Sequence, residues 1–148
     1  MRTDFKVGFA YLFFLLFSVT TGCTVRYVAE YDAAIKEEIV QVSKKVDLFW
    51  GELLGTPVKE RNYAKFKDKY NEIETDIRGL VMKNEIRSFN KESTKQAKIA
   101  LALWIEDKEL HKKDDSFTDF EASQHRNQFM RVFTAMAKGE EVKYSSPQ

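Results

Sequence analysis

The chain has 148 residues, of which 32% are charged and 43% hydrophobic, and its formal net charge is +1. A domain of this size buries a core without cross-links, and the single cysteine, Cys23, excludes a disulfide within the chain. The balanced charge provides no basic face, which argues against a nucleic-acid-binding protein.

The first 22 residues have the composition of an export signal. Two basic residues, Arg2 and Lys6, precede an apolar stretch from residue 7 to residue 19, and small residues then lead to Cys23. A basic head, an apolar middle and a small-residue end follow one another in this order in secretory signals. We therefore expect the rest of the chain, with 22 basic and 22 acidic residues, to be exported.

The ending Thr20-Thr21-Gly22-Cys23 resembles the signal of bacterial lipoproteins. The resemblance implies that the Cys23 sulfur receives a diacylglycerol and that a peptidase cuts before Cys23, which becomes the acylated first residue. Thr24 at the next position implies transport to the outer membrane, facing the periplasm, with an inner-membrane anchor as the alternative. An uncleaved anchor is a further alternative, because residues 7–25 carry no charge and approach the ~20 residues that span a bilayer.

The first predicted helix follows the signal. Its apolar residues recur at steps of three and four, which places them on one helix face: Tyr31, Ile35, Ile39, Val42, Val46, Phe49 and Leu53. We expect this helix to end at Gly55, and Thr56-Pro57 predicts the N-cap and first position of a second helix. The connection is short, so the two helices should be antiparallel.

The second and third helices have comparable spacing. The inward residues of the second are Tyr63, Phe66, Tyr70, Ile73, Ile77 and Leu80, and a bend or loop is expected between Lys83 and Asn90. The third is predicted from about Lys91 to Lys112, with these residues inward: Ala97, Leu101, Trp104, Ile105 and His111. Because residues 99–105 are apolar on more than one side, we expect it to lie deepest. Trp104 should pack against Phe49 or Phe66 and the fourth helix.

The fourth helix begins with a capping box formed by Thr118 and Glu121. Its predicted inward residues are Phe120, Gln124, Phe129, Val132, Phe133 and Met136. It is expected to end at Lys138-Gly139, which leaves residues 140–148 as a flexible tail. In that tail and in the preceding loop, Glu140-Glu141 and Asp114-Asp115 are expected to be solvated.

These elements predict an all-α protein, an antiparallel up-down-up-down four-helix bundle over residues 23–139 that follows the signal helix of residues 1–22. A three-helix bundle is the alternative if the second and third helices are continuous. The stretches Tyr31–Ile35 and Leu54–Pro57 are similar to uncharacterised helical-bundle lipoproteins of Gram-negative bacteria, and this similarity implies no function.

Few residues indicate chemistry. His111 and His125 are the two imidazoles, and Glu121 with His125 is either a metal-binding pair or an ordinary surface pair. Haem ligation would combine either histidine with a methionine, namely Met82, Met130 or Met136. No Glu-x-x-His pair or Cys-x-x-Cys-His motif is present. We therefore expect no metal and no cofactor, and little loss of stability when both histidines are replaced.

A nucleophile with an oriented base is also missing from the sequence, because Ser123 and His125 point to different sides of one helix. We interpret the chain as a non-enzymatic lipoprotein that works by contact with a protein or another envelope component. The alternatives are an exclusion or immunity lipoprotein of a phage or plasmid, and a bundle that binds haem or a small molecule.

Overall fold

A computed structural model describes residues 28–145. The predicted signal, Cys23, Thr24 and residues 146–148 lie outside the described residues. The described part is helical, with α1 at Ala33–Gly55, α2 at Tyr63–Glu85, α3 at Lys91–Asp114 and α4 at Asp119–Ser145. Between residues 28 and 145, no helix combines the length and the apolar character needed to cross a membrane.

The four helices form an antiparallel up-down-up-down bundle, as the sequence predicts. Helix α1 packs against α2 and α4, and α3 packs against the same two helices from the opposite corner. One end of the bundle, here the near end, holds the start of α1, the loop of residues 86–90 and the end of α4. The other end, the far end, holds the connections at residues 56–62 and 115–118.

The core is rich in aromatic rings. Trp104 is fully buried, and its ring centre lies 5.0 Å from that of Phe49 and 5.5 Å from that of Phe129 on α4. Its indole N–H donates to the Tyr70 carbonyl oxygen at 3.0 Å. The prediction for Trp104 is therefore confirmed, as are the inward residues from Ile35 to Leu53 on α1 and from Phe66 to Leu80 on α2. Tyr31 lies before α1 and Tyr63 begins α2, and both are only partly buried, whereas Trp50 is a buried residue that the regular spacing did not include.

Helix α3 is not the deepest helix, contrary to expectation. It contributes five buried residues where α1 contributes seven, and Ile99 is 46% exposed. Its inward face also carries the acidic residue Asp107. The apolar residues of α3 are spread around the helix, so several of them, including Leu101 and Ile105, are only partly buried.

The connection between α1 and α2 differs from the predicted Thr56-Pro57 cap. Helix α1 ends at Gly55 as predicted, but a single 3₁₀ turn at Val58–Glu60 follows and α2 begins only at Tyr63. The Asn62 side chain caps α2 by accepting from the Lys65 N–H at 3.1 Å. Pro57 keeps an extended ψ of 137°, which excludes it from the first turn of a helix.

The start of α4 confirms the capping box but not the inward set. The Thr118 N–H donates to Glu121 Oε2 at 2.8 Å, and the Glu121 N–H donates back to Thr118 Oγ1 at 3.2 Å. This cap turns Phe120 and Gln124 outward. Phe117 and Ala122 are buried instead, at the two positions where a hydrophobic staple flanks an N-cap.

The end of α4 also differs from expectation, because the helix continues past Gly139 to Ser145. Gly139 does not have a positive φ, so it does not terminate the helix. A Cβ atom at this position would lie 3.3 Å from Gln96 Oε1, so the glycine allows a close approach of α3 to α4. Glu140, predicted to lie in a solvated tail, is 1% exposed.

Candidate functional site

The one predicted site residue, Cys23, lies outside the described residues. The first described residue after it in the chain is Val28. This residue lies at the near end, where the Ala29 N–H donates to the Phe89 carbonyl oxygen at 3.0 Å. Val28 and Phe89 line the same surface hollow together with residues 29–32. Ala29, six residues after Cys23, is thus hydrogen-bonded to the loop between α2 and α3.

A buried cluster of charged residues links the elements that meet at the near end. The Glu140 carboxylate accepts from Arg87 Nη2 at 2.9 Å, from Lys143 Nζ at 2.5 Å and from the Asp32 N–H at 3.0 Å. Burial by itself raises the pKa of Glu140, but the hydrogen bonds from Arg87 and Lys143 outweigh it, and the net shift is downward. Glu140 therefore fastens the end of α4 to the start of α1 and to the loop.

The loop of residues 86–90 is held by amide side chains. Asn90 Nδ2 donates to Asn84 Oδ1 at 2.7 Å, and Thr94 Oγ1 donates to the Asn84 carbonyl oxygen at 3.1 Å. Within this fixed loop Phe89 has a φ of 57° and a side chain that is 65% exposed. A left-handed conformation is unfavourable for a bulky residue, and exposure of its ring adds no compensating burial.

Other large apolar side chains are exposed at the same end of the bundle as Phe89. Among the described residues of the near end these include Val28, Met82, Ile86, Val142 and Tyr144. Met82 and Ile86 are four residues apart at the end of α2, and the Tyr144 ring contacts the Tyr31 ring at the start of α1, with 5.4 Å between centres. We call Val28, Met82, Ile86, Phe89 and Tyr144 the near-end patch.

A second group of polar residues lies inside the bundle, around His111. This fully buried imidazole has its Nε2 at 2.7 Å from the Arg61 carbonyl oxygen and its Nδ1 at 3.2 Å from the Tyr70 hydroxyl. A carbonyl accepts only, so Nε2 carries the proton and the hydroxyl donates to Nδ1. Burial lowers the pKa of His111, which favours this neutral form.

Arg61 closes the far end above His111. Its guanidinium is buried and donates to the carbonyl oxygens of Thr56, Phe117 and Leu54 at 2.7, 3.0 and 3.1 Å. It also contacts the exposed Asp119 carboxylate at 2.5 Å. These bonds join both far-end connections, so Arg61 has a structural role.

His125 is not a surface residue paired with Glu121. Its ring stacks on Trp50 with 5.2 Å between centres, and its Nδ1 lies 2.9 Å from Asp107 Oδ1 in poor hydrogen-bond alignment. The Asp107 pKa is raised by burial, an effect that the nearby imidazole opposes. Trp50 Nε1 and Asp107 Oδ2 are likewise buried without a hydrogen-bond partner in the described part of the chain.

The predicted ligand candidates are not brought together. Glu121 is occupied by its cap, Met82 and Met130 are exposed, and Met136 is buried. Across residues 28–145, no group of three or more His, Cys, Asp or Glu side chains is arranged to hold a metal ion. Both His111 nitrogens are engaged within the protein, so this ring has no free position for an axial haem bond.

Sequence patterns missed the polar residues that hold the two ends. Asp107, Arg61 and Glu140 are buried, yet each stands among charged neighbours in a stretch that is typical of a solvated face. The partners of Arg61 and Glu140 include residues more than 50 positions away. Helical spacing predicts which face is inward, but it carries no information about such distant partners.

A shallow groove of about 540 Å³ runs between α1 and α4. Leu48 and Met130, 70% and 53% exposed, stand beside a floor that includes Val46 and Phe133. Arg126, which forms a two-point ion pair with Asp47, lies at its far-end side. The groove is an apolar surface that a partner could contact.

Comparison of the chain with protein-family models, with curated proteins and with solved structures finds no significant match.

Proposed function

We propose that the protein is a lipid-anchored envelope protein that acts by contact and not by catalysis. The observation that carries this proposal is the position of Val28, which follows the lipoprotein-like Cys23 by five residues and lies at the near end. Five residues span at most about 18 Å. An acylated Cys23 would therefore hold the near end within that distance of the lipid surface.

The anchor itself is proposed from the signal at residues 1–23. Acylation with two or three chains gives stable membrane attachment, whereas one chain gives only marginal binding. Thr24 favours delivery to the outer membrane, with the bundle in the periplasm.

The interior supports a contact role. His111 is buried and bonded at both nitrogens, and the Asp107–His125 pair is covered by Trp50 and Phe117. A substrate would have to open the core to reach His111, whereas the His125 side chain is 19% exposed and packed on Trp50. The surfaces offered to other molecules are the apolar near end and the groove beside Leu48.

Metabolic labelling with a fatty-acid analogue tests the anchor. The wild-type chain should take up the label and lose 22 residues, and Cys23→Ser should take up none and keep its full length. Label that persists in Cys23→Ser, or an unlabelled wild-type chain, would contradict the proposal.

Photo-crosslinking in intact cells tests the contact role. A crosslinking residue placed at Leu48 should give a discrete adduct with an envelope component, and one at the exposed Lys67 on α2 should not. Equal, diffuse adducts from both positions would argue against a specific contact at the groove.

A further inference from the structure

We propose that the near-end patch lies on the bilayer surface and that it sets the bundle upright, with the far end pointing away from the membrane. This inference rests on the proposed function, because it takes the anchor at Cys23 as given. It adds a second point of attachment, made by Val28, Met82, Ile86, Phe89 and Tyr144.

Exposed apolar residues are grouped at the near end. Ile86 is 78% exposed and Tyr144 is 77% exposed, and both lie at the end where the chain from Cys23 enters the bundle. Single exposed apolar residues are ordinary, but a group at one end marks an interaction surface. Tyrosine at its edge suits the interface between headgroups and acyl chains, because its ring is apolar and its hydroxyl is polar.

The conformation of Phe89 also favours contact with an apolar phase at the near end. A loop fastened by Asn84, Asn90 and the bond from Ala29 holds a bulky residue at positive φ with its ring in solvent. Neither backbone preference nor burial within the chain favours this arrangement. Insertion of the ring into an apolar phase would supply the missing burial.

The short tether and the nearby basic residues favour lipid as the occupant of the patch. A tether of at most about 18 Å keeps the patch beside the bilayer and leaves little depth for a folded partner between them. Lys91 and Lys95 are exposed and line a groove with Phe89. Their ammonium groups are placed to meet anionic headgroups beside the inserted ring.

Depth measurements on the full acylated protein test the inference. The Cys23 sulfur carries lipid, so one introduced thiol can be labelled selectively; Ser88→Cys marks the near end and Lys59→Cys marks the far end. In vesicles of phosphatidylethanolamine and phosphatidylglycerol, nitroxide lipids should quench a fluorophore at residue 88 several-fold more than one at residue 59. Aqueous iodide should give the reverse order.

Equal quenching at the two positions would overturn the inference. Protection of residue 88 from iodide without quenching by nitroxide lipid would also overturn it, because a second copy or another protein would then cover the patch. If the mass of the chain shows that it lacks acyl groups, the proposed function fails. The same two labels, introduced into a Cys23→Ser chain so that each remains the single reactive thiol, then still measure whether the near end touches lipid.

A patch variant separates the patch from the tether. Met82→Ser with Ile86→Ser should reduce lipid quenching at residue 88 at least twofold, whereas the matched pair Leu48→Ser with Met130→Ser should leave it unchanged. Circular dichroism confirms that both variants are folded. Unchanged quenching in a folded patch variant would mean that the tether alone positions the bundle, and the proposed role of the patch would be wrong.

Discussion

The helix connections at the two ends of the bundle differ in how well their residues suit the backbone conformation. Within residues 28–145, each end has one non-glycine residue with positive φ, Asp115 at the far end and Phe89 at the near end. Asp115 suits this conformation, and it also caps α3 through its N–H and accepts from the Tyr63 N–H. Phe89 does not suit it and has an exposed ring. The far end is built for stability, and the near end keeps an unfavourable feature that a membrane would use.

The buried charged residues also differ between the two ends of the bundle. At the far end Arg61 donates mainly to backbone carbonyl oxygens, so its bonds fix the connections. At the near end Glu140 holds two cations, Arg87 and Lys143, under the apolar rim. These ion pairs hold the loop of residues 86–90 in place, so the exposed side chains of the near-end patch are not needed to hold it.

The largest expected effect lies between the two ends. Trp104→Ala removes a fully buried ring and should lower the free energy of unfolding by about 3 to 5 kcal/mol. That is comparable to the total stability of a small domain. Denaturant titration checks this against Lys67→Ala, an exposed change that should cost little. Similar small losses in both variants would mean that the core is assigned wrongly.

The next largest effect concerns the near-end ion pairs. Glu140→Gln leaves Arg87 and Lys143 without a full counter-charge in a buried setting, and we expect a loss of about 3 kcal/mol. Its neighbour Glu141 pairs with Lys36 on the surface, so Glu141→Gln should change stability by less than about 1 kcal/mol. Thermal melts of the two variants make the comparison; equal losses would refute a buried network.

A pair of smaller changes sharpens the contrast between the left-handed residues. Phe89→Asn should keep or raise the stability of the isolated protein, by up to about 1 kcal/mol, because asparagine tolerates positive φ. Asp115→Ala should lower stability by about 1 to 2 kcal/mol, because it removes the acceptor for Tyr63 and a tolerant residue. Chemical denaturation measures both; marked destabilisation by Phe89→Asn would show that the ring stabilises the fold.

The smallest expected effect is a pH dependence from His111. Its pKa is lowered in the folded chain, so the unfolded chain binds more protons as pH falls below the ordinary value of 6.5. The stability due to neutral His111 is present above that pH and declines below it. The raised Asp107 pKa acts in the opposite direction at acid pH.

Comparison of the wild-type chain with His111→Gln isolates the contribution of His111 to the pH dependence of stability. The stability difference between wild type and His111→Gln should shrink from pH 7.5 to pH 5.5 in parallel calorimetry. A difference that stays constant would contradict a neutral, buried imidazole. The sequence-based expectation that replacing both histidines costs little assumed two surface positions, but His111 is fully buried and His125 packs on Trp50. From the structure we expect the double replacement to lower stability.

The sequence predicts the bundle well because helical spacing depends on local order. The stripe from Ile35 to Leu53 and the Thr118–Glu121 cap are both confirmed. The failures occur where distant contacts outweigh local preference. Gly139 suggests a helix end, yet Glu140 binds Arg87 across the bundle and the helix continues. The intrinsic penalty of a helical glycine is only about 1 kcal/mol, which one buried ion pair can outweigh.

The candidate site was less accessible to prediction. Cys23 was proposed as the lipid-bearing residue from its neighbours alone, since a signal sequence is a local pattern, and this assignment stays a prediction. The near-end patch was not predicted, because nothing in the sequence around Met82 and Ile86 indicates that this helix face packs against no other helix. Tyr31 was predicted to pack at the base of α1, and its contact with Tyr144 on α4 becomes visible only in the folded bundle.

Intact mass of the chain extracted from membranes shows directly whether Cys23 carries the proposed lipid anchor. The account predicts a polypeptide that begins at Cys23 and carries the added mass of two or three acyl chains on that residue. A full-length chain with an unmodified Cys23 would contradict it and would establish an uncleaved anchor instead.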